Sequence, residues 1–208
     1  MAAAHRAEHD LRACLLGGAP DQHVQLRRRR DLRSGRPAQG CQFRVLRCYK
    51  NGPDLGGAAI RAYGMYMATP VYITADTFHG NYCSNGGALS GLYANFDVIN
   101  TLMTANKAIG WGANPASRGT PGGGSGGAIY TDGDHYNLII DGTVIRDSGA
   151  REGGGAIFFV VNARGGALKI EYSTLHHNPS GQFQNAPGIF DSVNGHDTQP
   201  VVIHSTIN

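Results

Sequence analysis

A Gly-Gly-Ala-apolar element recurs along this chain as Gly56-Gly57-Ala58-Ala59-Ile60, Gly86-Gly87-Ala88-Leu89, Gly126-Gly127-Ala128-Ile129 and Gly154-Gly155-Ala156-Ile157, with successive starts 30, 40 and 28 residues apart. Each element is followed by an eleven-residue segment: VYITADTFHGN from Val71, FDVINTLMTAN from Phe96, LIIDGTVIRDS from Leu138 and LKIEYSTLHHN from Leu168, with a shortened copy, VVIHSTIN, from Val201. Aligned, the copies carry apolar residues at positions 1 and 3 (Val71 and Ile73, Phe96 and Val98, Leu138 and Ile140, Leu168 and Ile170, Val201 and Ile203), the alternation of a strand with one buried face. Position 8 is large and apolar (Phe78, Met103, Ile145, Leu175), and position 11 is Asn81, Asn106, Ser148 and Asn178.

A unit this short cannot bury its apolar face alone, so the copies must stack, each strand pairing in parallel with the same strand of the next coil. Equivalent residues then lie about 4.8 Å apart along the stack. Ile73, Val98, Ile140, Ile170 and Ile203 are expected in one inward column and Phe78, Met103, Ile145 and Leu175 in another. The position-11 residues are expected to form a polar ladder at a bend, satisfying backbone groups that the turn leaves unpaired. The predicted fold is all-β, a right-handed single-stranded parallel β-helix of about four to five coils over residues 48–208, recognisable from about Leu55 and incomplete at Asn208.

Glycine supplies 31 of the 208 residues without a strict Gly-X-Y period, which excludes collagen and favours a turn-rich β architecture. No stretch approaches eighteen consecutive apolar residues, so a membrane span is not expected. The opening MAAAHRAEHDLRACLLGGAP is interrupted by charges where a signal peptide needs an apolar core, so no export signal is expected in this chain.

The net charge of +3 divides into +7 over residues 1–50 and −4 over the remainder. The run Arg27 to Arg30 lacks interleaved aromatics, and nucleic acid is not the expected partner. Residues 1–47 lack the repeat, and two readings account for them. HRAEHDLRACLL could form a helix capping the solenoid. Alternatively, the segment is the repeat read out of frame: permitted codons for Arg28 to Arg33, shifted by one base, encode Gly-Gly-Ala-Ile-Tyr.

The Gly-Gly-Ala-Ile elements and the Phe78-His79-Gly80-Asn81 ending resemble the GGAI and FxxN repeats of polymorphic outer-membrane proteins and related bacterial secreted proteins of the pectate-lyase-like superfamily, over roughly residues 48–208. The resemblance implies an extracellular or cell-surface location, contact with a polysaccharide or surface glycan, or adhesion to a protein partner. In some relatives it implies polysaccharide cleavage. Ser148 in place of Asn and the shortened last copy depart from the pattern.

Two function classes follow: a non-catalytic adhesion module, and a polysaccharide lyase or glycoside hydrolase. Positions 2 and 4 face outward, so Asp141 and Glu171 should lie on adjacent rungs about 5 Å apart, flanked by Lys169 and His204. Paired carboxylates at that distance can share a proton, bind a hard cation or cleave a glycosidic bond. Tyr72 and Asp97 share the same outer face. The ridge after position 8 should stack Arg146 near His176 and Asp147 near His177, with neutral His beside a carboxylate as a candidate base. Trp111, the only tryptophan, sits in the Gly- and Pro-rich connection from Lys107 to Ser125, where it could stack on a sugar or anchor the loop. Asp132 and Asp134 are a candidate calcium pair; no other cofactor is implied. The favoured reading is the module, because no copy gathers the three or more acids with an arginine base that the pectate-lyase-like resemblance implies for an enzyme. Cys48 and Cys83 fall in turns on neighbouring coils, within disulfide reach, and are expected to pair, with Cys14 and Cys41 outside the framework.

Overall fold

A computed structural model describes residues 42–44, 56–63, 70–110, 123–163 and 165–208, and these contain no helix. The strands fall into four sheets that the chain visits in turn. The first holds Ile60–Tyr63, Leu89–Leu92, Ile129–Gly133, Ile157–Val161 and Ile189–Val193. The second holds Val71–Thr74, Phe96–Ile99, Leu138–Asp141, Leu168–Glu171 and Val201–Ile203. The third runs from Gln42–Arg44 through Thr77–His79, Leu102–Thr104, Val144–Arg146 and Thr174–His176 to Thr206–Ile207, and the fourth joins Tyr82–Cys83, Lys107–Ala108 and Gly149–Ala150. Within every sheet the paired strands are parallel and come from successive passes of the chain, a solenoid-like arrangement. The exception is His196–Asp197, which folds back antiparallel on Ile189–Val193 and covers that edge of the first sheet. No helix among the described residues is long and apolar enough to cross a membrane.

The alternation of the eleven-residue copies becomes the interior directly. Val71, Phe96, Leu138 and Leu168 pair in one line and Ile73, Val98, Ile140 and Ile170 in the next, all buried. Phe78, Met103, Ile145 and Leu175 form the second expected column, each fully buried. The wall opposite is Leu89, Ile129, Ile157 and Ile189 from the first sheet.

The last copy departs from the expected register by one residue. Lys169 pairs with Val201, Ile170 with Val202 and Glu171 with Ile203. Val202 therefore continues the column assigned to Ile203, and Ile207 pairs with Leu175. A ladder of hydroxyls at position 6 enforces this register. The backbone N–H of Asp76 donates to Thr101 Oγ1, that of Thr101 to Thr143 Oγ1, that of Thr143 to Ser173 Oγ, and that of Ser173 to Ser205 Oγ. Each hydroxyl has two carbonyls in reach, for Thr143 those of Val98 and Asp141 at 3.2 and 3.0 Å. The residues just before the ladder, Ala75, Asn100, Gly142, Tyr172 and His204, all have positive φ, a costly conformation for side chains other than Gly. Satisfying the backbone of this bend offsets that cost.

The position-11 ladder is present as expected and fully enclosed. Asn106 Oδ1 accepts from both the backbone N–H and Nδ2 of Asn81, Ser148 Oγ accepts from the N–H of Asn106, and Asn178 Oδ1 accepts from the N–H of Ser148. The glycine elements also shift at the first copy: Ile60 pairs with Leu89, so Gly57 rather than Gly56 corresponds to Gly86. The second glycine of the motif is needed for stacking, since a Cβ on Gly127 would collide with the carbonyl of Gly155 on the next rung.

The third sheet reaches back to Gln42–Arg44, which pairs in parallel with Thr77–His79, ahead of the expected boundary at residue 48. Beside the fourth sheet the N–H of Gly110 donates to the Ser84 carbonyl, and the described chain resumes at Gly123. The two glycines lie against each other with no room for a Cβ on Gly110, and Asn85 Oδ1 holds the returning N–H groups of Gly124 and Ser125.

Candidate functional site

The outward carboxylates Asp141 and Glu171 are directly paired on neighbouring strands, as expected. Their surroundings are not those expected. Lys169 Nζ lies 3.0 Å from Glu171 Oε1 on the same strand and forms an ion pair with it. His204 sits opposite Tyr172, not opposite Glu171, and its ring stacks on that tyrosine at 5.4 Å. The one-residue register shift thus removes the imidazole from the position assigned to it beside the acids. Tyr72 and Asp97 are paired two rungs away, Tyr72 exposed and Asp97 half-buried, with burial raising the Asp97 carboxyl above its usual range.

The ridge does assemble. Arg146 pairs with His176, Arg146 Nη1 lies 2.7 Å from Asp147 Oδ2, and His177 Nδ1 lies 3.8 Å from Asp147 Oδ1. The rings of His176 and His177 meet edge to face at 5.0 Å. His79 instead hydrogen-bonds Thr104 Oγ1. Arg146, Asp147 and His177 are exposed, and such solvated ion pairs are weak.

Among the described residues no group of three or more His, Cys, Asp or Glu could hold a metal ion. Trp111 and Cys48 lie outside the described residues. Cys83 is fully buried, and no described cysteine carries a free thiol.

A concavity among the described residues lies elsewhere, on the outer face of the first sheet. It is a groove of about 510 Å³ lined by Arg61, Tyr63, Leu92, Tyr93, Tyr130, Asp132, Gly133 and Asn162. Its construction follows from the pleat. The second and fourth residues of each strand point outward, giving the row Arg61, Ser90, Tyr130, Phe158 and the row Tyr63, Leu92, Asp132, Val160. Leu92, between Tyr63 and Asp132, lines the hollow, whereas Ser90 is buried. Tyr63 is 68% exposed and meets Tyr93 edge to face at 6.4 Å.

Tyr93 has a φ of 56°, and its N–H donates to the Asp132 carbonyl. Gly133 is the residue that admits it, because a Cβ there would strike both the ring and the backbone of Tyr93. Asp132 accepts from Tyr130 Oη at 3.1 Å and from Asn162 Nδ2 at 2.9 Å. Burial raises its carboxyl above the usual aspartate range, against the opposing pull of those two hydrogen bonds. Beneath the turn, buried Tyr136 fixes the scaffold: its hydroxyl donates to the Val160 carbonyl and accepts from the Val160 N–H. Along the same face Tyr130, Phe158 and Phe190 stack at 5.1 and 5.2 Å.

Of the groove residues, sequence reasoning singled out only Asp132, and for a different role. Aligning the residues after each glycine element would have brought Tyr63, Tyr130 and Asp132 to one face. No protein-family model, curated protein or solved structure matches the chain.

Proposed function

We propose that this chain is a module of a secreted or cell-surface protein, a right-handed parallel β-helix whose outer face binds a glycan and so serves adhesion. The right hand follows from the strong preference of parallel crossover connections. The repeat resemblance supports the surface setting. The observation that carries the binding reading is the groove on the first sheet, where an exposed tyrosine and two further tyrosines border one carboxylate and one amide. Binding sites of small molecules combine aromatic walls with a few placed polar groups in this way.

A catalytic reading draws on one observation, the adjacency of Asp141 and Glu171. It is the weaker of the two, because Lys169 already neutralises Glu171 and the imidazole of His204 faces Tyr172. The test is a glycan-array screen of the purified chain combined with reducing-end assays on neutral and acidic polysaccharides. Binding without release of reducing ends, unchanged in Asp141→Asn and Glu171→Gln, is expected. Turnover abolished by either substitution would replace the module with an enzyme.

A further inference from the structure

We infer that the groove on the first sheet takes an uncharged glycan, one sugar ring packing on Tyr63 while a hydroxyl is held by the Asp132 carboxylate. This rests on the reading of the chain as a glycan-binding module and names its ligand class. Each carboxylate oxygen of Asp132 already accepts one protein donor, Oδ2 from Tyr130 and Oδ1 from Asn162. The backbone N–H of Gly133 is a third donor to the carboxylate, so of its four acceptor directions one remains. One open acceptor on a fixed carboxylate matches one hydroxyl donor. The same two protein hydrogen bonds lock the carboxylate plane, which limits the ordering cost of binding.

Tyr63 lies in the same outward row two rungs away, about 10 Å along the stack. Its ring supplies a broad apolar surface with few rotatable bonds, suited to the C–H face of a pyranose. Leu92 forms the floor between them. A short oligosaccharide laid along the stack would therefore meet the ring first and the carboxylate further on.

Charge decides between neutral and acidic glycans. The groove holds one cation, Arg61, and one anion, Asp132, so its charges cancel and no excess positive potential selects a polyanion. The acceptor group, Asp132, is itself anionic and repels a uronate or sulfate.

The test titrates the full chain with neutral hexose oligosaccharides and, in parallel, with oligogalacturonate and a sulfated oligosaccharide, each at low and high salt. Neutral binding that is insensitive to salt is expected. Tyr63→Ala and Asp132→Asn should each weaken it by about tenfold or more, while Tyr63→Phe keeps the ring and the affinity. Far-UV circular dichroism of each variant checks that the fold is intact. Preference for the acidic oligosaccharides, with affinity falling steeply in salt and lost in Arg61→Ala, would overturn the ligand class yet leave the glycan-binding module standing. Absence of binding to either class would bring down the module reading itself.

Discussion

Replacing Thr143 by valine removes one oxygen from the interior of the solenoid at nearly constant volume and keeps the branched Cβ. Thr143 is fully buried, and its Oγ1 accepts the backbone N–H of Thr101 at 3.1 Å while donating to one of two carbonyls within 3.2 Å. In the valine variant the Thr101 N–H loses its partner and no solvent reaches it. An orphaned buried donor costs about 1–3 kcal/mol. Thr143→Ser makes the opposite trade, keeping the hydroxyl and losing a methyl group, which costs about 1 kcal/mol. Urea unfolding followed by circular dichroism should therefore rank wild type above Ser and Ser above Val. For a chain of this length each kcal/mol corresponds to about 2–4 °C in melting temperature. A valine variant at least as stable as the serine variant would refute the claim that the hydroxyl ladder holds this bend.

Ile140→Ala, in the fully buried middle of the second sheet, should cost about 2–5 kcal/mol, whereas Val202→Ala in the same column, 44% exposed, should cost well under half as much; equal losses would contradict the described register. Burial raises the carboxyl of Asp191, which accepts from Thr198 Oγ1. The folded state then binds a proton more readily than the unfolded one, so this group's contribution to stability should rise as pH falls through its folded value towards the ordinary aspartate value, and Asp191→Asn should flatten the melting profile there. A profile of the variant identical to wild type would remove Asp191 from the pH response. Non-reducing peptide mapping of protein made in an oxidising compartment should join Cys83 to Cys48; a Cys83 thiol open to alkylation would defeat that pairing.

The strictly alternating positions were readable from the sequence because burial acts on every second residue and tolerates no slip. Val71 to Ile170 therefore fell into register from hydrophobicity alone. The last copy misled because Val201, Val202 and Ile203 are all apolar, so any of three frames fits. The decisive marker was the small hydroxyl of Ser205, in line with Thr101, Thr143 and Ser173, whose function is to satisfy backbone groups and which hydropathy does not register. The same slip misplaced His204 beside Glu171. At the first glycine element, Gly56 offered a second frame in the same way. Tyr63, Tyr93 and Tyr130 went unremarked for a different reason: they are dispersed along the chain and become neighbours only once the rungs are laid over one another.

At the fourth sheet, Gly110 and Gly123 touch, and Lys107–Ala108 pairs with both Tyr82–Cys83 and Gly149–Ala150. The two ends of the connection are held at one point, and the entropy of closing such a connection grows only slowly with its length. That corner is therefore a socket. Peptides of different length exchanged between these two glycines should leave the pairing of Lys107–Ala108 with its two neighbouring strands intact.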